Sequence, residues 1–291
     1  MAAEPVAPVE VDAWSDEVAE ALARIRAACR DVDGQDPLDE AADLGLRHHG
    51  LAGARLWLAG SSGFALLRGD GVDLAVAPSA RGTGVGAALA EAAADAGARE
   101  AWSHGDHPGA AVLAARHGFA RARELWVMRR PVARALPEVQ RRGGHDVREF
   151  RPGDEAELLR INAAAFADHP EQGAMDAANL AERMGEPWFS PAGLLVAVEP
   201  GPDGVMLGFH WTKVHSAGVG EVYVVGIDPT AQGRGLGKEL TLAGLHHLAS
   251  VLDDDGEVIL YVEADNLPAR AVYEGLGFTH ADADTHVQYR R

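Results

Sequence analysis

The sequence predicts an α/β protein built as two tandem domains, each a mixed central sheet flanked by helices. Three observations carry this expectation. An apolar strand-like run, a glycine-rich loop and a helix-like segment follow one another at Val222–Gly237 (VYVVGIDPTAQGRGLG). The same order recurs at Leu74–Gly86 (LAVAPSARGTGVG). Setting Pro78 against Pro229, 151 residues apart, places Arg81 on Gln232, Gly84 on Gly235 and Gly86 on Gly237. Downstream, His107–Phe119 (HPGAAVLAARHGF) parallels Asn266–Phe278 (NLPARAVYEGLGF), and both end in Gly-Phe. Two matched blocks in one order mark a repeat, where a lone glycine triplet would not. A length of 291 residues suffices for two domains of ordinary size.

Each repeat opens with a helical stretch, Ser15–Arg30 in the first and Gly153–Phe166 in the second. Runs of strand-forming residues follow: Ala54–Leu58 and Phe64–Leu67 in one, Leu194–Glu199 and Met206–Val214 in the other. Then come the long apolar strand, the glycine loop and a helix. In the second repeat that helix spans Leu236–Leu252, with Leu236, Leu240, Ala243 and Leu248 on one face. A strand at Val258–Glu263 precedes a short helix at Pro268–Leu276. Arg129–Asp146 is rich in proline, arginine and glycine and lacks periodicity. The boundaries expected are therefore 1–132 for the first domain, 133–146 for a linker and 147–291 for the second. Alternation of strands and helices implies helices on both faces of each sheet.

Composition narrows the partners. A net charge of −18 argues against nucleic acid or an anionic membrane and suits a cationic amine. The single cysteine, Cys29, permits no internal disulfide and fits a reducing cytoplasm. It sits in an Ala/Arg helical stretch as a small packing residue rather than a nucleophile. The start, MAAEPVAPVE, has neither a basic opening nor an apolar run, so cytoplasmic localisation is expected. The adjacent pairs His48-His49 and His246-His247 lack the i,i+4 spacing of a zinc helix, so no metal is expected. Arginine dominates over lysine, which occurs only at Lys213 and Lys238. A monomer is expected.

The loop suits a polyphosphate. Glycines let the backbone approach closely, and the following helix start presents N–H donors with a partial positive charge. Arg234 offers a further charge. The loop lacks the Gly-Lys-Ser/Thr ending of a Walker A motif and the G-x-G-x-x-G of a dinucleotide site.

The strand–QxxGxG–helix block, followed by N-x-x-A-x-x-x-Y-x-x-x-G-F through Asn266, Ala269, Tyr273, Gly277 and Phe278, resembles the GNAT superfamily of acetyl-CoA-dependent N-acetyltransferases. Three phrases of the second half narrow the likeness: His169–Gly173 (HPEQG), Gly220–Gly226 (GEVYVVG) and Leu260–Asn266 (LYVEADN) resemble those of the mycothiol synthases. Members of that tandem-GNAT family acetylate the cysteinyl amine of a cysteine–glucosamine–inositol conjugate. The resemblance implies acetyl-CoA held at Leu74, Ala75, Val76, Gly82, Thr83, Gly84, Val85, Gly86 and Ala87 in the first repeat. In the second it implies Val225, Gly226, Ile227, Gln232, Gly233, Arg234, Gly235, Leu236, Gly237, Lys238, Asn266, Leu267, Pro268, Ala269, Arg270 and Ala271. It also implies substrate contacts at Glu40, Glu171, Lys213, Glu221 and Tyr261.

Acetyl transfer needs a neutral amine, donors for the oxyanion and a proton for the departing sulfur. Strand alternation places Glu221, Tyr223 and Val225 on one face, with Glu221 positioned as general base. A solvated strand-end glutamate is the alternative. Gly226 within a strand signals a bulge, a close ligand or tight packing. Tyr273 can protonate the thiolate, or be a core tyrosine. In the first repeat Ala114 takes the place of Tyr273, and Asp70 that of Glu221, so only the second repeat is expected to be catalytic. A tandem GNAT acting on another amine, such as an aminoglycoside or a protein N-terminus, and an acyl-CoA sensor without turnover also fit the loops. If one repeat does the chemistry, Glu221→Ala and Tyr273→Phe each lower turnover far more than Asp70→Ala in a steady-state assay, and equal losses would refute it.

Overall fold

The computed structural model describes residues 6–140, 144–167, 172–201 and 204–291. The chain forms two compact units. One comprises the residues up to Trp126 with Glu263–Asp265 and Ala281–Arg291. The other comprises Val127–Val262 and Asn266–His280.

The first unit contains β1 (Val9–Glu10), α1 (Asp16–Asp33), α2 (Glu40–His49), β2 (Ala54–Leu58), β3 (Gly63–Arg68), β4 (Gly71–Val76), α3 (Val85–Asp95), β5 (Glu100–Ser103), α4 (Pro108–Arg116) and the start of β6 (Ala120–Pro131). The second unit takes the end of β6, then β7 (Asp146–Glu149), α5 (Glu155–Ala165), α6 (Ala177–Met184), β8 (Leu194–Val198), β9 (Met206–Ser216), β10 (Val219–Ile227), α7 (Leu236–Val251), most of β11 (Glu257–Glu263) and α8 (Leu267–Gly275). The last strand, β12 (Thr279–Arg290), returns to the first unit.

Strand order in the first unit is β1-β2-β3-β4-β5-β12, and in the second β6-β11-β10-β9-β8-β7. One parallel pair interrupts each otherwise antiparallel run: β4 beside β5, and β10 beside β11. The expected division at 133–146 needs correction here. Arg130 and Pro131 end a strand of the second unit, and 281–291 belongs to the first. The outer edge of β5 carries N–H and C=O groups that require a partner, and β12 supplies one, with Val287 opposite Ser103 and Arg290 opposite Glu100.

Local chemistry explains the helices. Ser15 caps α1 by accepting from Val18 N at 3.3 Å, Asp16 and Glu17 follow in the first turn, and left-handed Gly34 ends it. Asp39 caps α2 and Asp176 caps α6 in the same way. Both sheet faces are covered, as expected. In the first unit Leu22, Ile25, Phe64 and Leu66 pack on one side, and Trp57, Ala65, Val85 and Leu89 on the other. In the second unit Leu158, Ile161, Phe209 and Trp211 face α5, whereas Ala197, Leu236, Leu240 and Ile227 face α7. Cys29 lies in the first of these cores, and burial pushes its thiol up.

His210 of β9 is wholly buried beneath α7, its Nδ1 2.8 Å from the Leu240 carbonyl oxygen. Gly244 of α7 lies over the ring: a Cβ there would stand 2.1 Å from the imidazole. Burial lowers the pKa from 6.5 to about 4. The unfolded chain therefore binds more protons than the folded one across that window, so stability is greatest above pH 6.5 and falls on acidification toward pH 4. The loss from this group amounts to about 3 kcal/mol. Chemical denaturation between these pH values is expected to show that slope. His210→Asn, which keeps a donor toward Leu240, is expected to flatten it.

Candidate functional site

The second unit gathers a charged and aromatic constellation on the α5 side of its sheet. Glu221 of β10, 6% exposed, pairs in register with Lys213 of β9, 8% exposed. Between Val222 and Val224 the register shifts, so that Val224 rather than Tyr223 stands opposite Trp211. This β-bulge breaks the expected alternation. Glu221 keeps the α5 side, but Val225 pairs with His210 and turns toward α7.

Tyr223, the extra residue, stacks edge-on against Trp211 (5.5 Å) and Trp188 (5.2 Å). Its hydroxyl accepts a hydrogen bond from Arg183 of α6. The Lys213 ammonium lies 4.8 Å from the Trp188 ring centre and 5.3 Å from that of Tyr223. Such cation–π contacts hold a desolvated ammonium in place. His215 Nε2 is 2.6 Å from Glu221 Oε2. Sequence reasoning missed His215, Trp188 and Arg183. The alternation Trp211, Lys213, His215 along one strand face was the available signal for the first.

Gly226 is explained by packing. A Cβ there would stand 2.6 Å from the ring of buried Phe209. The bulge lies elsewhere, at Tyr223.

Both glycine loops share one backbone course. Gly233 (φ 76°) and Gly235 (φ 80°) match Gly82 (φ 75°) and Gly84 (φ 94°). Gly235 and Gly84 are the N-caps of α7 and α3, neither with a side-chain capping bond, so the first-turn N–H groups have no capping side chain to accept from them. Arg234 donates to the Thr230 carbonyl oxygen at 3.0 Å and is exposed. Leu236 and Val85 bury their side chains in the cores, which leaves only their backbone for a ligand.

The downstream blocks also match. Asn266 caps α8 through Ala269 N (3.2 Å), and His107 caps α4 through Gly109 N (3.0 Å). Phe278 N donates to the Tyr273 carbonyl oxygen at 3.0 Å, and Phe119 N to that of Ala114 at 2.9 Å. Tyr273 packs edge-on against Phe278 (6.0 Å), and burial pushes its phenol up to about 12.

In the first unit a cavity of about 470 Å³ is lined by Leu74, Ala75, Val76, Gly82, Gly84, Gly86 and Ala87, and by Ala114 on its far wall. Of the nine residues expected there, Thr83 and Val85 do not line it. Asp70 is corrected: it occupies the exposed turn between β3 and β4. The buried carboxylate of β4 is Asp73, which shares the face of Phe64 and Leu66 and pairs with Arg68 at 2.9 Å. A second cavity, in the second unit, is bordered by Arg160 and Asp228, 2.6 Å apart. Hydrogen bonds from Thr230 and Arg160 hold that carboxyl down to about 2. Neither cavity contains Glu221 or Tyr273.

Tyr261 of β11 shares the face of Glu221, through the pairing of Glu221 with Ile259. Glu40 begins α2 in the first unit. Glu171 lies outside the described residues. Among the described residues no group of three His, Cys, Asp or Glu side chains is placed to hold a metal ion, and no helix is long and apolar enough to cross a membrane.

The FR47-like protein family model matches residues 210–287. The chain is 59% identical over 289 residues to a mycothiol acetyltransferase of Nocardioides sp., covering 93% of this chain and 97% of that one. It is 50% identical over 295 residues to a mycothiol acetyltransferase of Actinosynnema mirum, covering 96% and 97%. In fold it is similar to a GCN5-related N-acetyltransferase from Sphaerobacter thermophilus (TM-score 0.70, 24% identity, 98% and 95% covered). A tandem GNAT protein from the clavulanic acid biosynthesis pathway also matches (TM-score 0.68, 18% identity, 98% of each).

The contact between Gly226 and Phe209 is testable in isolation. Gly226→Ala is expected to cost about 1–3 kcal/mol in denaturant unfolding, because the buried ring has nowhere to go. Combined with Phe209→Leu, the loss should fall well short of the sum of the two single changes.

Proposed function

Because the chain belongs to the mycothiol acetyltransferase family, we propose that it moves the acetyl group of acetyl-CoA to the cysteinyl amine of a cysteine–glucosamine–inositol conjugate, forming mycothiol and CoA. The second unit does the chemistry in this reading. The observation that carries it is the asymmetry of two matched backbones: buried Glu221 and high-pKa Tyr273 stand in one, whereas Arg68-paired Asp73 and Ala114 stand in the other.

Glu221 accepts the proton of the substrate ammonium, directly or through a water. The freed nitrogen attacks the thioester carbonyl carbon. As the C–N bond forms, the carbonyl electron pair moves to oxygen, which backbone N–H groups near Val225–Ile227 receive. When it returns, the C–S bond breaks and Tyr273 gives its phenolic proton to sulfur, while the new amide nitrogen loses its second proton to solvent, from which the phenol is restored as Glu221 releases the first. A phenol raised to about 12 is still protonated at neutral pH and available as an acid. The Gly233–Gly235 turn and the start of α7 fit the pyrophosphate of CoA. Lys213, held by two rings, and Tyr261 contact the sugar–inositol part, with Glu171 as a further contact. The first unit binds acetyl-CoA in its cavity without turning it over. The protein works as a monomer in the cytoplasm.

The experiment is a competition assay. Thiol release from acetyl-CoA is followed with the pseudodisaccharide and with a panel of aminoglycosides and peptide N-termini. The expected result is a kcat/KM for the pseudodisaccharide at least about 100-fold above any other amine. No such preference would overturn the substrate assignment.

A further inference from the structure

Glu221 has one close side-chain neighbour that the proposed chemistry has not used. His215, at the end of β9, sets Nε2 2.6 Å from Glu221 Oε2. Burial differs sharply within the pair: the carboxylate side chain is 7% exposed and the imidazole 36%. A buried carboxylate thus reaches solvent through a half-exposed imidazole.

Resting on the assignment of Glu221 as base, we propose that His215 is a positioning residue that orients the Glu221 carboxylate and, through its own charge, switches that carboxylate between an effective and a weakened base.

The argument runs through the two oxygens. With His215 neutral, Nε2–H donates to Oε2 and fixes the plane of the carboxylate, leaving Oε1 to take the amine proton. With His215 protonated, the same contact becomes an ion pair. The imidazolium stabilises the carboxylate anion and lowers its affinity for a proton.

Register defines what else faces the pair. From β9 comes Lys213, opposite Glu221, and from β11 come Tyr261 and Glu257. Glu257 is paired with Arg129 of β6 at 2.7 Å. Tyr223 of β10 and Arg183 of α6 are joined to each other. Among these described groups, His215 is the one whose ring nitrogen lies within hydrogen-bond distance of Glu221.

The test is the pH dependence of kcat at saturating substrates, because kcat reports groups in the bound complex. His215→Gln places an amide N–H near the position of Nε2 but cannot titrate. It should keep plateau kcat within about threefold while its acid limb moves to lower pH. His215→Leu removes the donor and should lower plateau kcat about tenfold or more, with KM for acetyl-CoA unchanged. Wild-type kcat and an unshifted limb in both variants would overturn the proposal. So would equal losses in Gln and Leu, because donor geometry would then be irrelevant. Rates are followed with whichever panel amine the enzyme acetylates fastest. A wrong pseudodisaccharide assignment therefore leaves this test intact, whereas an enzyme silent toward every amine overturns both readings.

Discussion

Everything in each unit is organised around a strand that ends in two left-handed glycines and delivers the chain into a helix with no side-chain cap. Gly82 and Gly84 do this ahead of α3, and Gly233 and Gly235 ahead of α7. Helix N-termini leave N–H groups without intrahelical partners. Here no Ser, Thr, Asp or Asn side chain caps them. The parallel pairing of β4 with β5 stops at Asp73, and that of β10 with β11 at Val222, short of that turn in each unit.

On this shared frame the units diverge through a few side chains. Tyr273 and Ala114 make the same backbone contact to the following phenylalanine, so their difference is one of chemistry and volume alone. The smaller residue enlarges a cavity, and the larger supplies a buried phenol. The carboxylates diverge as well. Asp73 is neutralised by Arg68, whereas Glu221 keeps a half-exposed imidazole and a ring-caged ammonium nearby. The bulge at Tyr223 separates the two strands further: it turns Val225 away from Glu221 and brings a tyrosine ring against Trp188 and Trp211.

Elements governed by local chemistry were legible. Ala54–Leu58 emerged with identical limits, and α1, α5, α7 and α8 lay within a few residues of expectation because caps and apolar periodicity mark them. The paired glycine loops were legible for the same reason, since positive φ demands glycine wherever it occurs. What depended on distant pairing was not. The bulge leaves no signature in VYVVG, so alternation through it misassigned Val225. Counting back from Pro78 without allowing for that extra residue pointed to Asp70, whereas the bulge moves the equivalent of Glu221 to Gly71. The residence of 281–291 in the first unit follows from an open strand edge on β5, which no local pattern discloses. His215 was visible only as one of several histidines; it is the unpaired residue at a second register shift of β9, and the side-chain contact alone sets it beside Glu221.

The placement of β12 also bears on how the molecule comes into being. During synthesis an amino-terminal domain ordinarily folds as soon as it emerges. Here the strand that closes the edge of β5 is Ala281–Arg291, made more than 150 residues after β5 itself. The unit made first must wait, with one sheet edge open, until that distant strand is made.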